Sequence, residues 1–214
     1  TANTGHRAIR IANTVQYSSP VFSGFSAHVG ITPQNNNATA DSGSGNTVGV
    51  KEYALRYTNG PVDAMYTSIK YDVGSNGVKQ YYLDAALAVA SRTIAVQDST
   101  QNLLGVSYKV LPALTLNAGF GNFSSSSNTW KGSSKSFGGT YTMGKVDILA
   151  QMAKVDDTSS TNIDRKMTGL GVNYNFSKTA RAYVRYDSIN WGSNATATAG
   201  TEQKRTAIGI SKSF

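Results

Sequence analysis

The last ten residues of the chain, 205–214, alternate strictly between two faces and end on an aromatic residue. Larger side chains occupy one face, namely Thr206, Ile208, Ile210 and Phe214. Arg205 is the first residue of the other face. Alternation with a period of two residues predicts a β-strand. A soluble domain gains little from an aromatic residue at a loosely held terminus. A membrane strand can instead anchor Phe214 where hydrocarbon meets water. The sequence therefore predicts a transmembrane strand in which Phe214 is the terminal anchor for assembly.

The composition is compatible with a membrane protein built from strands. Only 15% of the 214 residues are charged, and the mean hydropathy is slightly negative at −0.30. No segment approaches the roughly 20 apolar residues that a spanning helix needs, which excludes an α-helical membrane protein. A barrel strand needs only about 10 residues and exposes one face to lipid. The net charge of +8 is compatible with binding to nucleic acid, with binding to acidic lipid or with a channel lined by basic residues. Only the positions of the charges distinguish these three interpretations.

Alternating segments recur along the whole chain, separated in turn by short breaks and long polar stretches. The short breaks, such as 59–61 and 144–145, predict tight turns, and the long stretches rich in Ser, Thr, Asn and Gly predict exposed loops. Short and long connections that alternate are typical of an antiparallel outer-membrane barrel. We predict eleven strands, at about 7–18, 25–32, 48–58, 62–73, 102–110, 114–123, 136–143, 146–155, 166–175, 180–189 and 205–214.

Residues 81–96 form the one stretch that does not fit this pattern of alternating strands, short turns and polar loops. Leu83, Ala86, Leu87 and Ala90 have a spacing compatible with a short helix inside a long connection. The stretch is too apolar for a solvated loop. We therefore expect it to fold into the pore, to cap a neighbouring element or in part to extend a strand.

The two faces of the predicted strands differ in chemistry. One face is aliphatic and aromatic, and in the fourth strand it comprises Met65, Thr67, Ile69 and Tyr71. The other face is polar, small or charged, and its cations are Arg10, Arg56, Lys70, Lys109, Arg181, Arg185 and Arg205. A soluble β-sandwich would give the same alternation, so a lectin-like binding module is one alternative. Strand length, aromatic strand ends and the alternation of turns and loops favour a transmembrane antiparallel β-barrel.

Three segments resemble the Gram-negative general porins, specifically the trimeric β-proteobacterial type. RIANTVQYSSPVFSGFSAHVG at 10–30 resembles a hairpin of that family, TGLGVNYNFSKTARAYVRYD at 168–187 is similar to its penultimate hairpin, and AIGISKSF at 207–214 resembles its terminus. The resemblance implies a homotrimer of sixteen-stranded barrels in the bacterial outer membrane. It also implies contact with outer-membrane lipid and lipopolysaccharide, and passage of small hydrophilic or anionic solutes.

In that family the hairpin resembled by residues 10–30 follows the third loop of the barrel. The resemblance therefore implies that residues 1–214 are a single barrel segment of eleven C-terminal strands, without the first five strands and the constriction loop. Eleven strands cannot close as an antiparallel barrel without a parallel seam, and open edges are not tolerated in lipid. We expect the remaining N-terminal part of the barrel as a partner. A complete smaller barrel is the alternative.

Arg10 aligns with a family position whose arginine lines the constriction, and it shares the face of Thr14 and Gln16. A guanidinium in a narrow lumen raises the local concentration of anions. The residues predicted to line the pore and favour anions are Arg10, Arg56, Lys70, Arg181, Arg185 and Arg205, which exceed the acidic residues predicted for that face. The predicted function is an outer-membrane diffusion channel that prefers anions, with a non-conducting adhesin or structural barrel as an alternative.

The sequence contains no convincing catalytic constellation. It has two histidines and no cysteine, and His28 has Ser26 on the same predicted face but no third member of a triad. The adjacent Asp156 and Asp157 are interpreted as solvated loop charges rather than as a cation site. We predict no enzyme activity, no cofactor, no metal and no nucleic-acid partner.

Overall fold

The computed structural model describes residues 14–33, 49–72, 78–83, 89–95, 98–126, 131–159, 164–192 and 202–213, and every regular element in this part of the chain is a β-strand. Eleven strands form one antiparallel sheet: β1 (Val15–Ser18), β2 (Phe25–Thr32), β3 (Gly49–Asn59), β4 (Val62–Asp72), β7 (Ser99–Leu111), β8 (Leu114–Ser125), β9 (Lys131–Met143), β10 (Val146–Asp157), β11 (Arg165–Asn175), β12 (Ala180–Trp191) and β13 (Glu202–Lys212). A second, two-stranded sheet contains β5 (Val78–Leu83) and β6 (Val89–Ala95). None of the described residues forms a helix long and apolar enough to cross a membrane.

The large sheet is a meander in which strands that follow one another in sequence pair side by side. The hairpin β5–β6 is bypassed, so that β4 pairs with β7. Gly60 and Gly144 lie in two-residue turns after β3 and β9, with φ of 55° and 59°. Glycine adopts this left-handed conformation without steric cost, which explains why these turns can be tight. The order of strands ends at β1 and β13, and the described residues contain no pairing between these two edges.

The eleven predicted strands correspond to the eleven strands of the large sheet, which confirms the all-β, antiparallel prediction. β2 has the predicted bounds, and the largest difference is in β9, which begins at Lys131 rather than at 136. The predicted strand before residue 14, including Arg10, lies outside the described residues, as does Phe214.

The helix considered for residues 81–96 is wrong where the structure describes this stretch. Tyr81 and Tyr82 lie in β5, and 89–95 forms β6, which pairs antiparallel with it. Aromatic and β-branched residues favour extended backbone, and in this stretch that preference outweighs the helical spacing of the leucines and alanines.

The register divides the side chains of the large sheet into two faces. The apolar face carries most of the exposed aliphatic and aromatic residues, among them Tyr17, Phe25, Val29, Tyr53, Leu55, Tyr66, Leu104, Tyr108, Leu116, Phe120, Phe137, Tyr141, Ile148, Met152, Leu170, Val172, Tyr174, Val184, Tyr186, Ile208 and Ile210. The opposite, polar face includes Ser26, His28, Ser107, Asn117, Thr140, Gln151, Asn173, Arg185 and Ser211.

The apolar face is open rather than packed against a second layer. Ile208 and Ile210 are each 78% exposed, whereas the buried residues Val50, Tyr71 and Val155 belong to the polar face. A soluble sheet buries its apolar face, because water makes a large exposed apolar surface costly. The arrangement is therefore that of a sheet whose outer solvent is hydrocarbon.

Aromatic residues on the apolar face gather near the short turns. Tyr17, Tyr57, Tyr108, Tyr141 and Tyr174 each lie within the last four residues before a turn at the end of their strand. Tyrosine prefers the boundary of hydrocarbon and water, where its ring is apolar and its hydroxyl stays wet. These residues form the aromatic girdle that the sequence predicted at the strand ends.

The predicted faces of β4 are wrong. The register places Met65 opposite Arg56 on the polar face and Lys70 opposite Lys51 on the apolar face. Lys70 therefore does not share the face of the other predicted pore-lining cations. Sequence alternation could not assign β4 correctly because both of its faces carry large apolar side chains, such as Tyr66 on one and Met65 on the other.

Candidate functional site

The polar face of the large sheet is the candidate functional surface. In the described residues of its eleven strands it carries six basic side chains, Arg56, Lys109, Arg165, Arg181, Arg185 and Arg205, and five acidic ones, Glu52, Asp63, Asp147, Asp157 and Asp187. The formal charge of this face is therefore nearly balanced. The electrostatic field over this face depends on which of the charges are paired.

Arg56 is neutralised by a bidentate ion pair. Its Nε donates to Oδ1 of Asp63 at 2.9 Å, and its Nη2 donates to Oδ2 at 2.6 Å. Thr58 donates a further hydrogen bond to Asp63. The two strands β3 and β4 bring these groups together across the tight turn at Gly60. Such a pair stiffens the wall while contributing little net field.

Arg205 also forms an ion pair, in which two of its nitrogens contact one carboxylate oxygen. It lies directly opposite Asp187 in the register of β12 and β13, and its Nε and Nη2 atoms both lie 2.7 Å from Oδ2 of that carboxylate. The Arg205 guanidinium is therefore a cation with a fixed counter-charge.

Arg185 keeps its charge, since every partner that the structure gives it is neutral. Its Nη1 donates to the backbone carbonyls of Val172, at 3.0 Å, and Val184, at 2.9 Å, and its Nη2 donates to the side-chain carbonyl of Asn173. The guanidinium also lies over the ring of Tyr183, 5.3 Å from its centroid. These contacts hold the cation flat against the wall.

Arg181 lies four residues before Arg185 on the same face of β12, opposite Asn175 and Ser211. It is exposed and forms no ion pair in the part of the chain that the structure describes. We call Arg181, Tyr183 and Arg185 the arginine patch. It lines an open recess of about 570 Å³.

The structure brings only some of the predicted site residues together. Arg181, Arg185 and Arg205 lie on the adjacent strands β12 and β13, whereas Arg56 lies on β3, near the other edge of the sheet. Lys70 is on the opposite face, and the position of Arg10 lies outside the described residues.

The sequence did not identify Arg165 as a residue of the polar face, because the predicted strand begins at 166. It is the first residue of β11, where it stacks on Trp191 with its guanidinium carbon 5.4 Å from the ring centroid. The alternation that continues from Arg165 through Met167 to Gly169 could have identified it as a residue of the polar face.

His28 has a serine partner on the neighbouring strand. His28 Nδ1 lies 2.9 Å from Oγ of Ser18 on the neighbouring strand, rather than bonding to Ser26. In the described part of the chain no carboxylate contacts His28, and no group of three or more His, Cys, Asp or Glu side chains is placed to hold a metal ion. The pair lacks the orienting acid that a catalytic triad uses.

A family model described as Gram-negative porin matches residues 1–194. No match was found among the curated proteins. An anion-selective porin from Comamonas acidovorans aligns with a TM-score of 0.66 and 22% identity, covering 95% of this chain and 60% of its own. A loop-deletion mutant of OmpT, an outer membrane protein of Vibrio cholerae, aligns with a TM-score of 0.65 and 18% identity, covering 93% of this chain and 62% of its own.

A mutant of the Rh. blastica porin also aligns, with a TM-score of 0.57 and 16% identity, covering 95% of this chain and 56% of its own. The chain thus spans about three fifths of the length of these solved proteins, and the likeness to them shows the fold. Three findings agree with one another: the match of the family model, the antiparallel sheet with its open apolar face, and the aromatic girdle. The chain is an outer-membrane protein and belongs to the Gram-negative porin family.

Proposed function

We propose that this chain forms part of the wall of a water-filled channel that passes small hydrophilic solutes across the outer membrane. The observation that carries the proposal is the division of one continuous sheet into an open apolar face and a polar face with charged side chains. In a porin-type barrel the apolar face meets lipid and the polar face meets water.

The open edges of the sheet support a larger assembly. Among the described residues, β1 and β13 each have one neighbour in the sheet, and edge backbone groups without a partner would be costly in hydrocarbon. We infer that further strands pair with both edges, supplied by another polypeptide or by the rest of a longer protein. The resemblance to the general porins implies a wall of sixteen strands and a homotrimer of such barrels.

The arginine patch supports a preference for anions. Arg56 and Arg205 are paired with carboxylates, so they add little net field, whereas Arg181 and Arg185 are not. An unpaired cation on a channel wall raises the local concentration of anions. A structural neighbour from Comamonas acidovorans is named as anion-selective, which agrees with this proposal. Arg10, the other cation predicted for the constriction, remains a sequence prediction.

Reversal potentials in a planar bilayer with a salt gradient test this selectivity. In the complete protein, Arg181→Gln together with Arg185→Gln should lower the anion-to-cation permeability ratio, because two unpaired cations are lost. The effect should be large at 0.01 M salt, where the screening length is about 30 Å, and small at 1 M, where it is about 3 Å.

The matched control removes a neutral pair: Arg56→Gln together with Asp63→Asn should leave the ratio unchanged. A wild-type pore that prefers cations, or a patch variant with the wild-type ratio, would contradict the anion preference. Absence of any conductance in the correctly folded wild type would favour a non-conducting structural barrel instead.

A further inference from the structure

The polar face contains a small cavity at the strand ends that lead into the long connections, which we call the loop ends. Its walls come from β10, β11, β12 and β13, and its volume is about 260 Å³. In its outermost row the register places Val155 beside Arg165 and Arg165 beside Trp191. Pockets for drug-sized molecules measure roughly 300–1,000 Å³, so this cavity has the size for a smaller molecule.

Two nitrogen donors in the walls of this cavity lack an acceptor. Nε of Arg165 and Nε1 of Trp191 are buried and have no hydrogen-bond partner among the described residues. The two side chains stack, with the guanidinium carbon 5.4 Å from the centroid of the indole ring. Buried N–H groups are almost always paired, because an unpaired group has lost its hydrogen bonds to water without replacement. An acceptor that enters the cavity would therefore be bound favourably by both donors.

Three carboxylates at neighbouring positions are engaged elsewhere. Asp157 and Asp164 each accept a backbone N–H at 2.9 Å. Asp187 pairs with Arg205. In the part of the chain that the structure describes, Arg165 forms no ion pair, and the negative charge of Asp157 offsets only part of the positive potential at its guanidinium. The remaining potential favours a ligand with a single negative charge.

The wall beside the two donors is apolar. Ala153, Met167 and Ile189 form its second row, and Val155 in the first row is only 2% exposed. Covering such a wall with an apolar group releases water and is favourable. An inorganic oxyanion, or a sugar with hydroxyls on every side, would instead leave polar atoms against the wall without partners. The wall therefore favours a ligand with an apolar body.

We propose that this cavity binds small monocarboxylates with an apolar body, with the carboxylate at Arg165 and Trp191 and the body against Met167 and Ile189. A guanidinium can hold a carboxylate through two parallel N–H bonds, and the indole N–H adds a third. Because Arg165 forms a wall of the cavity, rotation about its side-chain torsions turns Nε toward the ligand. The inference rests on the proposed function, since it names a class of solute that the channel holds at its loop ends.

Titration calorimetry of the purified complete protein in detergent tests the proposal, with benzoate as the probe and empty micelles as the reference. The wild type should bind benzoate about 10-fold more tightly than acetate, which has the carboxylate without the apolar body. It should also bind benzoate about 10-fold more tightly than benzamide, which has the same ring without the charge. Inorganic phosphate should bind more weakly than benzoate, because its oxygens would meet the apolar wall.

Substitutions of the two donors locate the site. Arg165→Gln should weaken benzoate binding about 10- to 100-fold, since hydrogen bonds from a charged group are lost. Trp191→Phe keeps an aromatic ring but removes the N–H, and it should weaken binding about 10-fold. Should Arg165→Gln fail to fold, Arg165→Lys keeps the charge without the two parallel donors and should still weaken binding about 10-fold.

The control variant is Lys109→Gln, which removes one positive charge from the polar face near the opposite, short-turn end of β7. It should bind benzoate like the wild type. Equal benzoate binding by the wild type and the Arg165 and Trp191 variants, or equal binding of benzoate and benzamide by the wild type, would overturn the proposal. Phosphate that binds as tightly as benzoate would overturn it in favour of an inorganic oxyanion.

Single-channel conductance of the same samples separates this proposal from the channel function. A wild type that conducts without binding benzoate defeats only the carboxylate site. One that binds benzoate without conducting defeats only the channel.

Discussion

At the scale of single residues, the field of the polar face depends on which arginines lack a carboxylate. Arg185 is held by neutral oxygens because its strand runs beside β11 at Gly171, whose missing side chain leaves room for the guanidinium. A Cβ at Gly171 would lie 2.8 Å from Cδ of Arg185 and 2.9 Å from its Nη1. The glycine therefore sets the conformation of the cation without contributing charge.

Replacing Gly171 by Ala should move Arg185 away from the carbonyls of Val172 and Val184 while leaving the net charge of the protein unchanged. We expect a lower anion-to-cation permeability ratio, with a smaller change than in the double arginine variant. Gly105→Ala on the same face is the control, since a Cβ there meets no atom within 4 Å. A Gly171→Ala channel indistinguishable from Gly105→Ala in reversal potential would show that the position of Arg185 is unimportant.

At the scale of strands, Asp147 of β10 forms hydrogen bonds with three residues of the two adjacent strands, near the short turns. Its carboxylate accepts hydrogen bonds from Thr142 of β9 at 2.9 Å and from Asn173 and Asn175 of β11 at 3.3 and 2.8 Å. One side chain of β10 thus satisfies donors on both adjacent strands. Bonds from several donors to one charged acceptor stabilise more than a single neutral bond does.

Asp147→Ala should lower the free energy of unfolding by about 1–3 kcal/mol, because it leaves the three donors without their acceptor. The measurement is urea-induced unfolding of the protein in lipid vesicles, followed by the gel mobility shift between folded and heated forms. Asn117→Ala on the same face is the control, since the described residues give Asn117 no hydrogen-bond partner. A loss no larger in Asp147→Ala than in Asn117→Ala would refute the bracing role.

The strands themselves were predictable because local chemistry and tertiary structure agree. Two sequence signals, glycines at tight turns and the alternation of side chains with a period of two residues, predict ten of the eleven sheet strands almost completely. The described part of β1 agrees with the prediction as well. The faces of β4 were not predictable, since Met65 and Tyr66 are both apolar and only the pairing with β3 decides between them. The neutral pair Arg56–Asp63 likewise depends on a register that sequence spacing does not determine.

At the scale of the whole molecule, the sheet has the dimensions of a membrane wall. Strands β3, β4 and β7 to β13 contain 11 to 13 residues. At about 3.3 Å per residue and a tilt of about 40°, such strands cross roughly 30 Å, the thickness of a hydrocarbon core. The aromatic girdle then lies at the membrane boundary nearest the short turns.

We expect the polar face to line water and the apolar face to lie in lipid, and the accessibility of introduced cysteines distinguishes the two faces. The chain has no native cysteine. Gln151→Cys and Met152→Cys place a thiol on opposite faces of β10, at adjacent positions. In the complete protein in planar bilayers, a charged, membrane-impermeant thiol reagent should modify Gln151→Cys and lower its conductance, and should leave Met152→Cys unmodified. Equal modification of both variants, or modification of Met152→Cys alone, would mean that the two faces are not divided between water and lipid in this way.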